Sequence, residues 1–66
     1  MTTGSTDKAS AMKAAIQWAQ NDGDVFLVEH ETGDWEATRS RPLFEPLQLF
    51  LVTKAGGCRR VGGTVT

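Results

Sequence analysis

Two short apolar runs constrain the fold of this chain more than any other feature: residues 25–28 (Val-Phe-Leu-Val) and residues 49–52 (Leu-Phe-Leu-Val). Because side chains alternate between the two faces of a β-strand, a strand built from either run is apolar on both faces. The sequence offers one segment with a helical pattern, and one helix covers only one face of a sheet. The other face therefore needs a second layer or another molecule, which predicts an oligomer or an obligate partner.

The helical segment spans residues 7–21. Met12, Ile16 and two alanines fall at the i, i+3, i+4 and i+7 positions of one apolar stripe, and alanine is the strongest intrinsic helix former. Thr6 or Asp7 can cap the start, since a short side-chain oxygen accepts from the unpaired N–H groups of the first turn. The pattern predicts an N-terminal amphipathic helix whose small residues allow a close approach to a sheet.

The rest of the chain is organised as strands and turns. Strands are expected over residues 24–30, 34–40 and 47–54, and a weaker edge strand over residues 58–65. Residues 41–46 contain two prolines, which cannot donate to a ladder, so this segment is a connection.

These elements predict the α+β class, with one N-terminal helix packed on a three- to four-stranded antiparallel sheet in the order α-β-β-β(-β). Which face of each strand meets the helix is left open by the sequence. The expected organisation is a flexible tail at residues 1–5 and a single small domain at residues 6–66.

The size of the chain also favours association. A domain of 66 residues is close to the lower limit for independent folding, where one core supplies only ~3–5 kcal/mol. Cys58 is the sole cysteine and His30 the sole histidine, so neither an intrachain disulfide nor a tetrahedral metal site can be built. No metal or cofactor is therefore predicted, and subunit contact is the remaining source of stability, which predicts a homodimer.

Charge and hydropathy argue against several classes of protein. The first residues lack a basic stretch followed by an apolar core, and no apolar run approaches the ~20 residues of a membrane helix, so a cytoplasmic protein without membrane contact is expected. The net charge of −1 argues against a general nucleic-acid binder. The charge is uneven, because residues 1–33 carry a net −3 and residues 34–66 a net +2.

Three constellations could carry chemistry, and each has a plainer interpretation. Cys58 and His30 could form a nucleophile–base pair, but no third orienting group is evident. His30, Glu31 and Asp34 could bind a metal, although carboxylates flanking a glycine turn are ordinary in hairpins. Residues 56–60 (Gly-Gly-Cys-Arg-Arg) could cradle a phosphate, but they lack the P-loop spacing and no helix follows. No enzymatic activity is predicted.

Four arginines support a second hypothesis. If the second and last strands share a rim, these arginines converge beside Trp35, where they could hold a nucleic-acid backbone while the indole stacks a base. The alternative function is therefore a small nucleic-acid-associated regulator. The candidate contacts are Arg39, Arg41, Arg59 and Arg60.

The leading hypothesis is a small intracellular protein-interaction module that forms a homodimer and acts by binding a larger protein or complex. A sheet face or strand edge carrying Phe26, Val28, Phe50 and Val52 would meet the second copy. The segment with Leu43 and Phe44 either folds back over the core or protrudes toward a partner. The candidate partner-binding residues are Trp18, Phe26, Val28, Trp35, Leu43, Phe44, Phe50 and Val52.

Overall fold

The computed structural model describes residues 7–64, which form one helix followed by four strands. The sheet is antiparallel, and its strand order is β2-β1-β3-β4. The predicted α+β class and element order are confirmed, and the weaker fourth strand is formed. The predicted tail at residues 1–5 lies outside the described residues. The elements are α1 (Lys8–Asp22), β1 (Val25–Glu29), β2 (Trp35–Thr38), β3 (Gln48–Val52) and β4 (Cys58–Gly62).

Local signals fix both ends of α1. The Asp7 side chain accepts a hydrogen bond from the backbone N–H of Ser10 at 3.4 Å. Hydrogen bonding with the Ser10 side chain, and to a lesser extent with its backbone, lowers the pKa of the Asp7 carboxyl below its usual value. At the other end Gly23 has φ 99°, and its N–H donates to the carbonyl of Ala19 at 2.9 Å. A residue without a Cβ adopts this conformation at little cost, so the helix ends where the sequence supplies glycine.

The buried face of α1 is narrow and lined by alanine. Ala11, Ala15 and Ala19 are buried, whereas Met12 and Ile16 are only partly buried against the same core. The centre of the apolar stripe is therefore rotated toward the smallest side chains. Because alanine projects little beyond the backbone, α1 lies close to the sheet.

The main core lies between α1 and one face of the sheet. Val25, Leu27 and Val52 are completely buried there, and Trp35 is 8% exposed. Phe50 packs partly against this cluster. The helix covers β1 and β2, reaches part of β3 and does not contact β4.

Because of the strand order, the connection between β2 and β3 crosses the sheet on the face that α1 does not cover. Both β2 and β3 are antiparallel to β1, which lies between them, so β2 and β3 are parallel and their connection must run the length of β1. The Arg41 guanidinium carbon lies 5.6 Å from the ring centroid of Phe26, and the Phe44 ring stacks on His30 at 4.9 Å. Phe26 and His30 alternate with the buried Leu27 and so point away from α1. Residues 39–47, named the crossover below, therefore lie on the face without the helix.

A second, smaller buried cluster lies on the crossover face. Val28 and Leu49 are paired across β1 and β3, and they are only 1% and 4% exposed. Phe26 and Leu51, the next pair on this face, keep partial exposure. Of the two expected kinds of cover, the chain itself supplies the layer over the centre of this face, and the homodimer stays a prediction.

The far end of the crossover is fixed by backbone hydrogen bonds. The N–H of Leu47 donates to the carbonyl of Glu29 at 2.9 Å, and the N–H of Thr64 donates to the carbonyl of Pro46 at 3.1 Å. Pro46 itself is buried. The crossover thus joins β3 in a fixed position, tied to both β1 and the segment after β4.

Within residues 7–64, no helix is both long and apolar enough to cross a bilayer.

Candidate interaction surfaces

Half of the predicted partner-binding residues belong to the interior. Val28, Val52 and Trp35 are buried, and Phe50 lies partly buried against the helix-side core. A partner could reach the first three only if the domain opened. These positions therefore stabilise the fold, which corrects their assignment as contact residues.

The proposed dimer face also divides between two surfaces. Phe26 is paired with Leu51, whereas Phe50 is paired with Leu27, whose side chain lies under the helix. Adjacent residues of a strand point to opposite faces, so Phe26 and Phe50 lie on opposite faces of the sheet. The predicted set of four residues does not form a single patch.

Three large apolar side chains remain exposed among residues 7–64. Trp18 is 36% exposed on α1, whereas Phe44 is 48% exposed and Leu43 is 104% exposed on the crossover. The crossover thus presents two adjacent apolar side chains on the face opposite the helix.

Side-chain contacts from β2 through His30 support Phe44. The Glu36 carboxylate on β2 lies 2.8 Å from Nε2 of His30, and the His30 ring stacks on Phe44 with 23° between the planes. The carboxylate restricts rotation of the imidazole, which in turn offers Phe44 a flat surface. The crossover therefore folds back onto the sheet, and Leu43 protrudes into solvent.

A cleft of about 350 Å³ opens beside Phe44 and is lined by His30, Glu31, Thr32 and Glu45. Its walls carry two carboxylates, which give this part of the surface an acidic character. Within the described part of the chain, no group of three potential metal ligands comes together. The cleft therefore forms an acidic border beside Phe44.

A wider groove of about 550 Å³ runs along the outer flank of α1. It is lined by alkyl and amide side chains and one lysine, without a nucleophile or a carboxylate. The lining residues are Ala9, Met12, Lys13, Ile16, Gln17 and Gln20.

The hypothetical nucleophile–base pair is not assembled. Cys58 is exposed and stands opposite Val52, which is itself paired with Val25 at the start of β1. His30 follows the other end of β1 and points to the crossover face. The thiol and the imidazole therefore lie at opposite ends and on opposite faces of the sheet.

The glycine-rich segment before Cys58 is a hairpin turn. Gly56 has φ 94°, and the N–H of Gly57 donates to the Thr53 hydroxyl at 3.0 Å. Arg59 and Arg60 then point to opposite faces of β4. The turn thus has its own hydrogen-bond partners, and its two arginines cannot close on one phosphate as a pair.

The four arginines do not form one rim. Arg39 follows β2 at one edge of the sheet, whereas Arg59 and Arg60 lie in β4 at the other edge. Arg41 lies over Phe26, near the middle of the crossover face. The nucleic-acid hypothesis assumed that these arginines lie together on one rim, and the structure places them apart.

Sequence reasoning did not foresee the cover that the crossover provides. Its partial signal is the composition of residues 42–46, in which two apolar residues lie between prolines. That composition becomes decisive only with the strand order, because only a parallel β2–β3 arrangement sends the segment across the sheet.

Comparisons with protein-family models, with curated proteins and with solved structures found no match to this chain.

Proposed function

We propose that this chain is a small, non-enzymatic protein-interaction module that binds a larger protein through the tip of the crossover. The observation that carries the proposal is the complete exposure of Leu43 beside the half-exposed Phe44. Removing a side chain of this kind from water stabilises a complex by roughly 1.5–3 kcal/mol. An apolar anchor of this kind fits a pocket in a larger partner.

The anchoring of the crossover strengthens the proposal. Arg41 packs over Phe26 before the tip, and Pro46 is buried and hydrogen-bonded after it. Prolines at positions 42 and 46 restrict the backbone further. Because a partner need not order a flexible loop, less binding free energy is lost on association.

The surroundings of the tip suggest the character of the partner's pocket. Glu31 and Glu45 line the cleft beside Phe44. An apolar pocket with basic side chains at its rim would complement this surface, and such complementarity speeds encounter and fixes orientation.

Self-association and location remain proposals of the same kind. Phe26 and Leu51 are the partly exposed pair left for a homodimer on the crossover face, and sedimentation across a dilution series tests that dimer. We propose a cytoplasmic location, because the exposed thiol of Cys58 suits a reducing compartment.

Capture from the native cell with matched variants tests the interaction site. Leu43→Asp should lose the captured partner by roughly tenfold or more, since a central apolar anchor is replaced by a charge. Ala55→Asp, which places the same charge in the exposed β3–β4 turn, is the control and should retain the partner. Equal capture by both variants would contradict the proposal. Circular dichroism checks that each variant is folded.

A further inference from the structure

The two edge strands of the sheet, β2 and β4, differ in whether the helix packs over them. The helix packs over β1 and β2, so the β2 edge has α1 above it. Strand β4 contacts β3 alone among the other elements, and the helix does not reach it. Cys58, Arg59 and Arg60 are all exposed. The outer edge of β4 is therefore open from the side and from both faces.

The register identifies which backbone groups point outward at this edge. The N–H of Thr53 donates to the carbonyl of Gly57 at 2.8 Å, which makes these residues a hydrogen-bonded pair. Bonded and non-bonded pairs alternate along an antiparallel ladder, so Leu51 and Arg59 form the next bonded pair. Cys58 lies between these two bonded pairs and Arg60 follows the second, so both residues belong to non-bonded pairs. Their N–H and C=O groups therefore face away from β3 and are free to pair with an added strand.

The charge of this edge is uniformly positive. Residues 48–64 include Lys54, Arg59 and Arg60 and contain no aspartate or glutamate. Among residues 7–64, the contact between a carboxylate and a basic side chain is that of Glu36 with the His30 imidazole, on the other side of the sheet. The arginines of β4 thus face solvent without a carboxylate partner in the described part of the chain.

We propose that the outer edge of β4 binds an extended acidic segment of a partner protein, which adds to the sheet as a fifth strand. Main-chain hydrogen bonds to Cys58 and Arg60 would supply affinity, as in other cases of strand addition. Arg59 lies on the crossover face and Arg60 on the helix face, so the added strand meets one guanidinium on each side. The segment that fits has two consecutive acidic residues, because neighbouring side chains of a strand also point to opposite faces.

A second copy of the chain fits this edge less well. In a two-fold antiparallel pair of β4 strands, a centre at residue 59 places Arg59 against its own copy. A centre at residue 60 does the same with Arg60, and like charges directly opposite are destabilising. A centre at Cys58 leaves each arginine opposite a glycine of the turn. An acidic strand places a carboxylate opposite each arginine, whereas a second copy places either an arginine or a glycine there.

The edge is short, which sets the expected strength of binding. A register irregularity between Leu49 and Phe50 interrupts the ladder after Arg60, and Gly62 and Gly63 follow. Bulges of this kind limit strand addition at sheet edges. The interaction is therefore weak and decreases as salt is raised. It involves a different surface from Leu43 and does not depend on the function proposed above.

A synthetic peptide provides the direct test. The probe is an eight-residue capped peptide with two central glutamates flanked by valine and threonine, added to the ¹⁵N-labelled full chain under reducing conditions. We expect the largest amide shifts at residues 58–60 and slower hydrogen exchange at Cys58 and Arg60. The same peptide with glutamines in place of glutamates, and one methylated at the amides that pair with the edge, should bind at least fivefold more weakly.

Protein variants locate the site. Arg59→Ala and Arg60→Ala should each weaken binding by about two- to fivefold, whereas Arg39→Ala at the opposite edge should leave it unchanged. Cys58→Pro removes an outward N–H and should weaken binding relative to Cys58→Ala.

Three outcomes would overturn the proposal. They are equal binding of the glutamate and glutamine peptides, an equal loss with Arg39→Ala, and shifts centred outside β4. Concentration-dependent self-association that shifts the Cys58 and Arg60 amides without peptide would assign the edge to a second copy instead. Because the peptide variants leave the protein unaltered, the test does not depend on the folding of any substituted chain.

Discussion

The two faces of the sheet are covered by different kinds of structure. On one face a 15-residue helix presents three buried alanines to Val25, Leu27 and Val52. On the other face the irregular crossover lies over β1, with Val28 and Leu49 buried on that side of the sheet. The helix covers its face of the sheet by packing closely along successive turns. The crossover covers the other face through a few separate contacts.

The two kinds of cover differ in how much apolar surface they leave exposed to a partner. A helix packed through every turn has little apolar surface left on its buried side. The crossover needs only its anchors at Arg41, Phe44 and Pro46, so Leu43 between them remains exposed. Irregular cover thus buries part of a sheet face while leaving an apolar side chain available to a partner.

The largest expected effect is in the helix-side core. Leu27 is completely buried, and Leu27→Ala should lower the free energy of unfolding by about 2–5 kcal/mol through lost burial and a residual cavity. Urea denaturation measures the change. Leu43→Ala is the matched control, because its side chain is fully exposed, and it should change stability by less than about 0.5 kcal/mol. Similar losses for both variants would contradict the assignment of Leu27 and Leu43 to interior and surface.

The next effect tests the fixed end of the crossover. Gly63 has φ 118°, and a Cβ there would lie 2.6 Å from the carbonyl oxygen of Leu47. Gly63→Ala should lower the free energy of unfolding by about 2–4 kcal/mol, since backbone strain adds to displacement of the crossover. Gly33→Ala is the control, with φ 93° but open space around the position, and should cost about 1–2 kcal/mol. Chemical denaturation that gave equal values would show that the close approach to Leu47 is absent.

A matched pair of valines compares the faces directly. Val25 under the helix and Val28 on the crossover face are equally buried in the same strand. Val25→Ala should lower the free energy of unfolding by about 2–3 kcal/mol, and Val28→Ala by about 1–2 kcal/mol, because an irregular segment settles more easily into a small cavity. Urea unfolding of both variants measures the difference. No loss from Val28→Ala would mean that Val28 is not covered in solution.

The smallest effect concerns the start of α1. Asp7→Ala removes the helix cap and should lower the melting temperature at pH 7. The folded-state pKa of Asp7 is lowered, so its stabilising contribution is present above the unfolded-state pKa and is lost as pH falls through the folded value. Thermal unfolding should therefore show a difference between wild type and Asp7→Ala at pH 7 that shrinks as the pH falls below the ordinary pKa of an aspartate carboxyl. Asp22→Ala, at the C-terminal end of α1, should show no loss at pH 7.

Local chemistry accounts for most of what could be predicted. The helix, the turns at Gly33 and Gly56, and the approximate strand positions depend on capping, glycine conformation and apolar periodicity over a few residues. The candidate site was only partly predictable. Leu43 and Phe44 were identified from their place between prolines, but Val28 and Val52 could not be distinguished from surface residues because an apolar run does not show which face is covered.

The sequence by itself determined the class of the fold, the order of its elements and the imbalance of charge along the chain. Only the tertiary structure decided the strand order β2-β1-β3-β4. That order sends the crossover over β1, places Arg39 and Arg59 at opposite edges and leaves β4 beyond the reach of the helix. The physical reason is that strand pairing joins residues far apart in the chain, and strands that are apolar on both faces carry no local signal for their neighbours.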